Sequence, residues 1–529
     1  MTTLLYELPL QAALSHPKRS ALRHKDRTVD YATLATAIEQ FASAVVALGI
    51  GRQERIAVFL PKQTETVVAM FGTARAGCAF VPVNSVLKPP QVAHILRDCN
   101  VRMLVTSPER ARDLATILPD CPDLRLIVAV GGAGEAFDTA HTQLLYWQDM
   151  PTAPRRPHRV IDTDVVSIFY TSGSTGKPKG VVLSHRNMVA GAISVASYLE
   201  NSREDRLLAV LPFSFDYGFS QLSTAFLSAA SVVLIDYLFA RDVITLAARE
   251  KVTGLAGVPP LWIQLADLPW PEELTHSLRY ITNSGGAMPV ATLNKLRAAL
   301  PRTKPYLMYG LTEAFRSTYL PPDEIDRRPE SMGKAIPNAE ILVVGSDGRL
   351  CGPNEPGELV HRGALVSLGY WNDPAKTAER FKPAPARDSG LVLTEMAVWS
   401  GDSVRMDEDG FLYFIGRRDE MIKTSGYRVS PTEVEEAVYA SQLVGDAVAV
   451  GVPHPTLGQA IVLIASPADG QERDSKRLLD ECRKRLALYM VPQHVDWRDE
   501  LPRNPNGKFD RPLLATQLRD QFGAGSEQH

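Results

Sequence analysis

With 529 residues the chain is too long for one compact core, so two or more domains are expected. A hydrophobic content of 45%, a charged content of 22% and a formal net charge of -3 describe an ordinary globular protein, with no sign of a nucleic-acid-binding surface. Five scattered cysteines (Cys78, Cys99, Cys121, Cys351, Cys482) form no Cys-x-x-Cys pair, which favours reduced thiols over a disulfide framework or a zinc site.

No window approaches the ~18 apolar residues of a membrane span. Glu7 precedes any long apolar stretch, so there is no signal-peptide layout, and a cytoplasmic protein is expected. In chain order, Tyr31 to Leu48 has helical spacing, with Leu34, Ile38, Phe41, Ala42 and Val45 on one side. Arg55 to Leu60 reads as a strand, Thr64 to Ala76 as a helix closed by Gly77, and Ala79 to Val83 as a strand. After Pro89-Pro90 come a helix to about Cys99 and a strand from Arg102 to Thr106. This alternation predicts a parallel sheet with helices on both faces. Residues 131–160 read as a loop and connector.

The apolar run Val165, Val166, Ile168, Phe169 leads into Thr171, Ser172, Gly173, Ser174, Thr175, Gly176, Lys177, Pro178 and Lys179. Glycines let backbone N–H groups close on an anion, hydroxyls add hydrogen bonds and lysines add charge, so a buried strand feeding this loop suits phosphate. It is not a Walker A motif, whose first glycine and final Ser or Thr fall where Thr171 and Pro178 stand. Ser184 to Asn187 reads as a helix entry, with the helix running to about Leu199. A strand from Leu207 to Leu211 delivers Phe215, Asp216 and Tyr217, with Asp216 placed to cap the next helix in the plainest reading. Residues 253–262 and 279–289 are two more strand-to-loop units, the second carrying Gly285, Gly286 and Ala287. Then comes Met308, Tyr309, Gly310, Leu311, Thr312 and Glu313, a small β-rich region over 357–371, and Asp402 followed by Gly416-Arg417.

The order Ser-Gly-Ser-Thr-Gly-Lys-Pro-Lys-Gly, with the Tyr309–Glu313 run downstream, resembles the AMP-forming acyl-adenylate ligases: acyl-CoA synthetases, luciferases and peptide-synthetase adenylation domains. The likeness extends from about residue 20 to 515. The runs Leu211–Gly218, Leu255–Leu265 and Met308–Ser317 are most similar to the acyl-CoA ligases associated with the exosortase A system. The resemblance implies an α/β fold: a large N-terminal domain of several subdomains, with doubly wound sheets and a small distorted β region, over residues 1–418. A small mobile α+β C-terminal lid domain would occupy 419–529, hinged at Asp419.

It also implies roles. Thr171 to Lys179 would hold ATP phosphates, and Gly285, Gly286 and Ala287 would wall the adenine. Tyr309 and Gly310 would pack on the adenine, Thr312 would reach the α-phosphate and Glu313 would hold Mg²⁺. Asp402 and Arg417 would bind the ribose, and Lys508, in Asn506-Gly507-Lys508, would be the catalytic lysine. Phe215, Asp216, Tyr217, Met308, Arg316 and Ser317 would line the carboxylate pocket. Ser425, Gly426 and Arg428 would line a pantetheine tunnel.

The expected reaction is adenylation of a small carboxylate, amino-bearing because Asp216 stands where amino-acid-activating domains keep their ammonium partner. Transfer to the thiol of CoA or of a carrier protein's phosphopantetheine would follow. A plain acyl-CoA synthetase for a short or medium acid, with Asp216 and Arg316 paired to each other, is the alternative. A non-catalytic adenylate sensor and a phosphotransferase are further readings outside the class.

Overall fold

The computed structural model describes residues 2–132, 137–171, 178–286, 288, 290–385, 390, 392, 394–417, 421–468, 470–502 and 511–523. Two large sheets make up most of the N-terminal part. The first runs Gln143–Tyr146, Leu126–Ala129, Val101–Thr106, Arg55–Phe59, Ala79–Pro82, Val165–Thr171, Lys179–Ser184, and only its last pair is antiparallel. The second is nine-stranded and parallel from Lys304–Tyr309 through Tyr280–Asn283, Gly254–Gly257, Arg206–Ala209 and Ser231–Leu234 to Ser20–His24. A five-stranded antiparallel sheet follows, built on Met396–Met406.

Local chemistry accounts for several elements. Gly77 ends the helix Thr64–Ala76 at φ +83, where a left-handed residue lets Cys78 N donate back to Thr73 O at 3.1 Å. Ser184 and Asn187 cap the helix His185–Tyr198 reciprocally, at 3.2 and 2.9 Å. The sheets enclose helices buried on most sides. Phe219 of the helix Asp216–Leu227 stacks on Phe71 and Phe80 at 5.7 and 5.3 Å, and Phe169 meets it edge-on at 5.9 Å. Each such ring contributes roughly 1.5–3 kcal/mol by burial.

The C-terminal unit has its own sheet, with Gly458–Pro467 at its centre, and its own core around Val438, Ile461, Leu463 and Cys482. It leans on the N-terminal part at Leu87, and Gln91 Nε2 donates to Glu433 Oε1 at 3.1 Å. Among the described residues no helix is long and apolar enough to cross a membrane.

Two local expectations need correction. The presumed connector contains the strand Gln143–Tyr146, which extends the first sheet. Before the first element read from the sequence lies a further strand, Ser20–His24, which pairs with Ser231–Leu234 of the second sheet. The segment expected as a loop at Lys423–Arg428 is a β-hairpin, Ile422–Thr424 with Tyr427–Val429. Ser425 at φ +52 and Gly426 at φ +80 form its turn, the positive-φ pair that suits a two-residue hairpin.

Two buried histidines make the fold sensitive to acid. His185 Nδ1 accepts from Leu5 N at 3.0 Å, and His361 Nδ1 meets Ser317 Oγ at 3.0 Å. Burial pushes the first down to about 4 and the second to about 3. Folded values below the ordinary ~6.5 mean that the unfolded chain takes up protons first. The contribution is therefore complete above about pH 6.5 and is lost as pH falls toward the folded values. For His185 the loss between pH 7 and pH 5 should be about 2 kcal/mol. Urea unfolding of His185→Gln should show a shallower decline over that range than the parent chain; parallel declines would remove His185 from this role.

Candidate functional site

The carboxyl ends of the parallel strands bring the expected residues to one place, where open α/β sheets usually bind ligands. Thr171 and Lys179 arrive from the first sheet, and Ser284, Gly285, Gly310 and Thr312 from the second; all line one cavity. The C-terminal hairpin contributes Gly426 and Arg428 to the same cavity. A second cavity continues from it, sharing Gly285, Gly310, Gly426 and Arg428 and reaching Gly286, Met308, Tyr309 and Lys423. A Cβ on Gly426 would meet Val258 Cγ2 at 2.6 Å, so only glycine lets the hairpin seat this closely.

Asp216 is buried as the first residue of its helix, whose N-cap position is Phe215. It accepts from Arg316 Nη1 and from Thr312 Oγ1, both at 3.3 Å. Burial raises its carboxyl pKa, against the lowering influence of Arg316 and Thr312. Arg316 lies over the Tyr217 ring at 4.5 Å, and the Tyr217 hydroxyl bonds Thr282 Oγ1 at 2.5 Å. Phe215 lines the first cavity. Ser317, expected beside Arg316 in the pocket, is fully buried and turned toward His361 instead, which takes it out of the cavity wall. Met308 faces the second cavity and receives a bond from Tyr198 OH at 3.0 Å.

Glu313 accepts from Tyr370 OH at 2.7 Å through Oε1. Among the described residues Oε2 takes no hydrogen bond, and no group of three or more His, Cys, Asp or Glu side chains gathers anywhere. A single acidic oxygen facing the cavity fits Mg²⁺ of the kind held mainly by phosphate oxygens and water. Lys179 stands 5.5 Å from the Tyr370 ring, and its pKa is lowered by burial and then by the neighbouring charge of Lys376, with Arg380 adding to it. Tyr370 and Arg380, both on the cavity wall, were not singled out from the sequence; the only signal for Tyr370 was its place in a Gly-Tyr-Trp turn.

Asp402 is 1% exposed and receives the Tyr309 hydroxyl at 2.5 Å, so it joins the second cavity through Tyr309. Its strand partner is Arg417, in register across the antiparallel pair. Ser425 lies at the hairpin turn, on a further cavity with Gly426 and Phe215. Ser172, Gly173, Ser174, Thr175, Gly176, Lys177, Ala287, Asp419 and Lys508 lie outside the described residues, as does the side chain of Arg417.

Comparison with known proteins bears on this arrangement. The family profile described as AMP-binding enzyme matches residues 10–371, and that of the AMP-binding enzyme C-terminal domain matches 433–508. The chain is 29% identical to the feruloyl-CoA synthase of Amycolatopsis sp over 523 residues, 97% of this chain and 98% of that one. It is similar to o-succinylbenzoate CoA synthetase from Bacillus subtilis in two structures, each covering 96% of this chain and 97% of that one. A double mutant with the product analogue OSB-NCoA gives 26% identity and a TM-score of 0.82. The complex with the acyl-adenylate intermediate OSB-AMP gives 25% and 0.68.

The Tyr309–Asp402 bond yields a direct test. Tyr309→Phe removes a hydroxyl that bonds a buried carboxylate, a loss of about 1–3 kcal/mol. Urea unfolding should register it, and an unchanged midpoint would mean that Asp402 does not depend on Tyr309.

Proposed function

The chain belongs to the AMP-binding enzyme family, the AMP-forming acid–thiol ligases, and from that premise we propose that it activates a small carboxylate with ATP and passes the acyl group to a pantetheine thiol. The observation that carries this reading is the cavity shared between Asp216, Thr312 and Glu313 on one side and the Gly426 turn of the C-terminal hairpin on the other. A carboxylate is a poor electrophile because oxide is a poor leaving group. A carboxylate oxygen attacks the α-phosphorus of ATP, a new O–P bond forms, and the bond to pyrophosphate breaks. A thiolate then attacks the acyl carbon and AMP departs with the bonding electron pair.

The first step brings two anions together. Lys179, Thr171 and Thr312, all on the cavity wall, would offset that repulsion, and Lys508 would add further positive charge. Mg²⁺ held by Glu313 would neutralise phosphate charge. Gly285 and Gly286 would admit the adenine, with Tyr309 against it and Asp402 and Arg417 on the ribose. Domains of 1–418 and 419–529, hinged at Asp419, would let the lysine leave and the hairpin arrive.

The place of the C-terminal hairpin on the cavity wall supports an arrangement suited to the second step. The Gly426 turn touches Val258 and lies near Gly285, where a thiol-bearing arm would enter. The higher TM-score against the OSB-NCoA complex than against the OSB-AMP complex of the same relative supports that orientation. CoA and a carrier protein's phosphopantetheine present the same thiol, and either would suit this tunnel.

For the acid itself, the Asp216–Arg316 pair supports a small carboxylate without an amine, since an ammonium would have to displace a guanidinium. An amino-bearing acid is the second reading. Both contacts to Asp216 are 3.3 Å, longer than the ~2.7–2.9 Å of strong charge-assisted bonds, so the carboxylate is loosely held.

The half-reactions separate the roles. Lys508→Ala should reduce adenylation by ~10²-fold or more while transfer from a synthetic acyl-adenylate to CoA persists. Pyrophosphate release and thioester formation report the two steps, and equal loss of both would point to misfolding or to another role for the lysine.

A further inference from the structure

The protein fills the space behind Asp216 with its own side chains. Phe215, Asp216 and Arg316 line the first cavity, whereas Tyr217, Gly257, Trp262 and Thr282 line neither it nor the two cavities that adjoin it. All four are buried, and Trp262 is fully enclosed. The Arg316 guanidinium covers the Tyr217 ring at 4.5 Å, and Phe215 meets that ring edge-on at 6.2 Å. The Tyr217 hydroxyl bonds Thr282 Oγ1 at 2.5 Å and is met by the backbone of Gly257. Trp262 closes the next layer, its Nε1 donating to Thr282 O at 3.2 Å. Glycine at 257 gives this indole its room, since a Cβ there would lie 2.7 Å from Cε2. A ring tied at its tip and covered on its face is a fixed wall: moving it would forfeit the cation–π contact and unpair buried hydroxyls.

This wall stands close to the reacting end of the site. Thr312 Oγ1 is 3.3 Å from Asp216 Oδ1, and Asp216 directly precedes Tyr217. An acid whose carboxylate lies beside Thr312 therefore runs into Asp216, Arg316 and Tyr217 after a short reach. We infer that Tyr217 sets the length limit of the acyl pocket and that the acid is short, its chain no longer than that of butanoate. This rests on reading the cavity as the site of carboxylate activation. Behind the wall the side chains are packed as a protein interior, so an added methylene has to displace atoms and finds no void to fill.

The test is ATP–pyrophosphate exchange by the full chain with acetate, propanoate, butanoate, hexanoate, octanoate and benzoate, and with 3-aminopropanoate against 6-aminohexanoate. Within the series that exchanges, the best short acid should exceed its six-carbon member by ~10²-fold or more in kcat/KM, at ~10-fold or more per methylene. In Tyr217→Ala the space of the ring opens onto the pocket, and that ratio should fall below ~10-fold. Tyr217→Phe keeps the ring and should keep the ratio. Each ratio is taken on one preparation and is independent of the fraction folded; Tyr217→Val serves if the alanine variant does not fold. Hexanoate, octanoate, benzoate or 6-aminohexanoate matching the best short acid in the parent chain overturns the inference. So does a ratio that survives loss of the ring, or one that is lost in Tyr217→Phe. Exchange with none of the acids refutes carboxylate activation itself, and the inference with it.

Discussion

A carboxylate and a triphosphate repel each other, and the proposed site is organised around holding them in contact. Lys179 shows the cost of gathering positive charge there. It is partly buried, its pKa is depressed by that burial, and Lys376 and Arg380 add like charge nearby. Asp373 and Glu379 offset part of that like charge, so the depression comes mainly from burying a cation that a phosphate in the cavity would favour. Oxygen acceptors stand on the other side: Glu313, steadied by Tyr370, and Asp402, steadied by Tyr309. Both tyrosines hold acidic groups through their hydroxyls.

The same constraint explains why the cavity has walls from two units. In the proposed mechanism a lysine that helps anions meet would obstruct a thiolate approaching the acyl carbon, so one wall would be exchanged between the steps. The C-terminal hairpin would suit that role. Its turn takes two positive-φ residues, and Gly426 can approach Val258 only because it has no Cβ. Gln91 with Glu433, and Leu87 against the C-terminal core, hold the unit in this arrangement through a modest polar and apolar contact. Contacts of that size are compatible with release on the timescale of catalytic domain motions.

Much of the architecture was legible in the sequence because it is written in local signals. Gly77 after an apolar helix, the Ser184–Asn187 box and the alternation of strand and helix through residues 55–106 all appear in the structure as expected. What failed was non-local. Nothing near Ser20–His24 signals that it pairs with a strand about 210 residues later, because register between distant strands is set by tertiary packing. The strand Gln143–Tyr146 is too short for its period to be read, and the 422–429 hairpin lacks the usual Asn-Gly turn. At the site, Asp216 and Arg316 were named from family register and their pairing was one of two readings; choosing it over a substrate ammonium needed the structure. Ser317 shows the converse: register placed it in the pocket, while its hydroxyl satisfies His361 elsewhere.

The central claim is that the carboxylate oxygen attacks the α-phosphorus. An acid labelled with ¹⁸O in its carboxylate, incubated with the enzyme, ATP and CoA, tests it most directly. Mass spectrometry should find one ¹⁸O in the AMP released, with pyrophosphate unlabelled and thioester formed in equal amount. Label appearing in inorganic phosphate together with ADP would mean attack at the γ-phosphorus and would contradict the account.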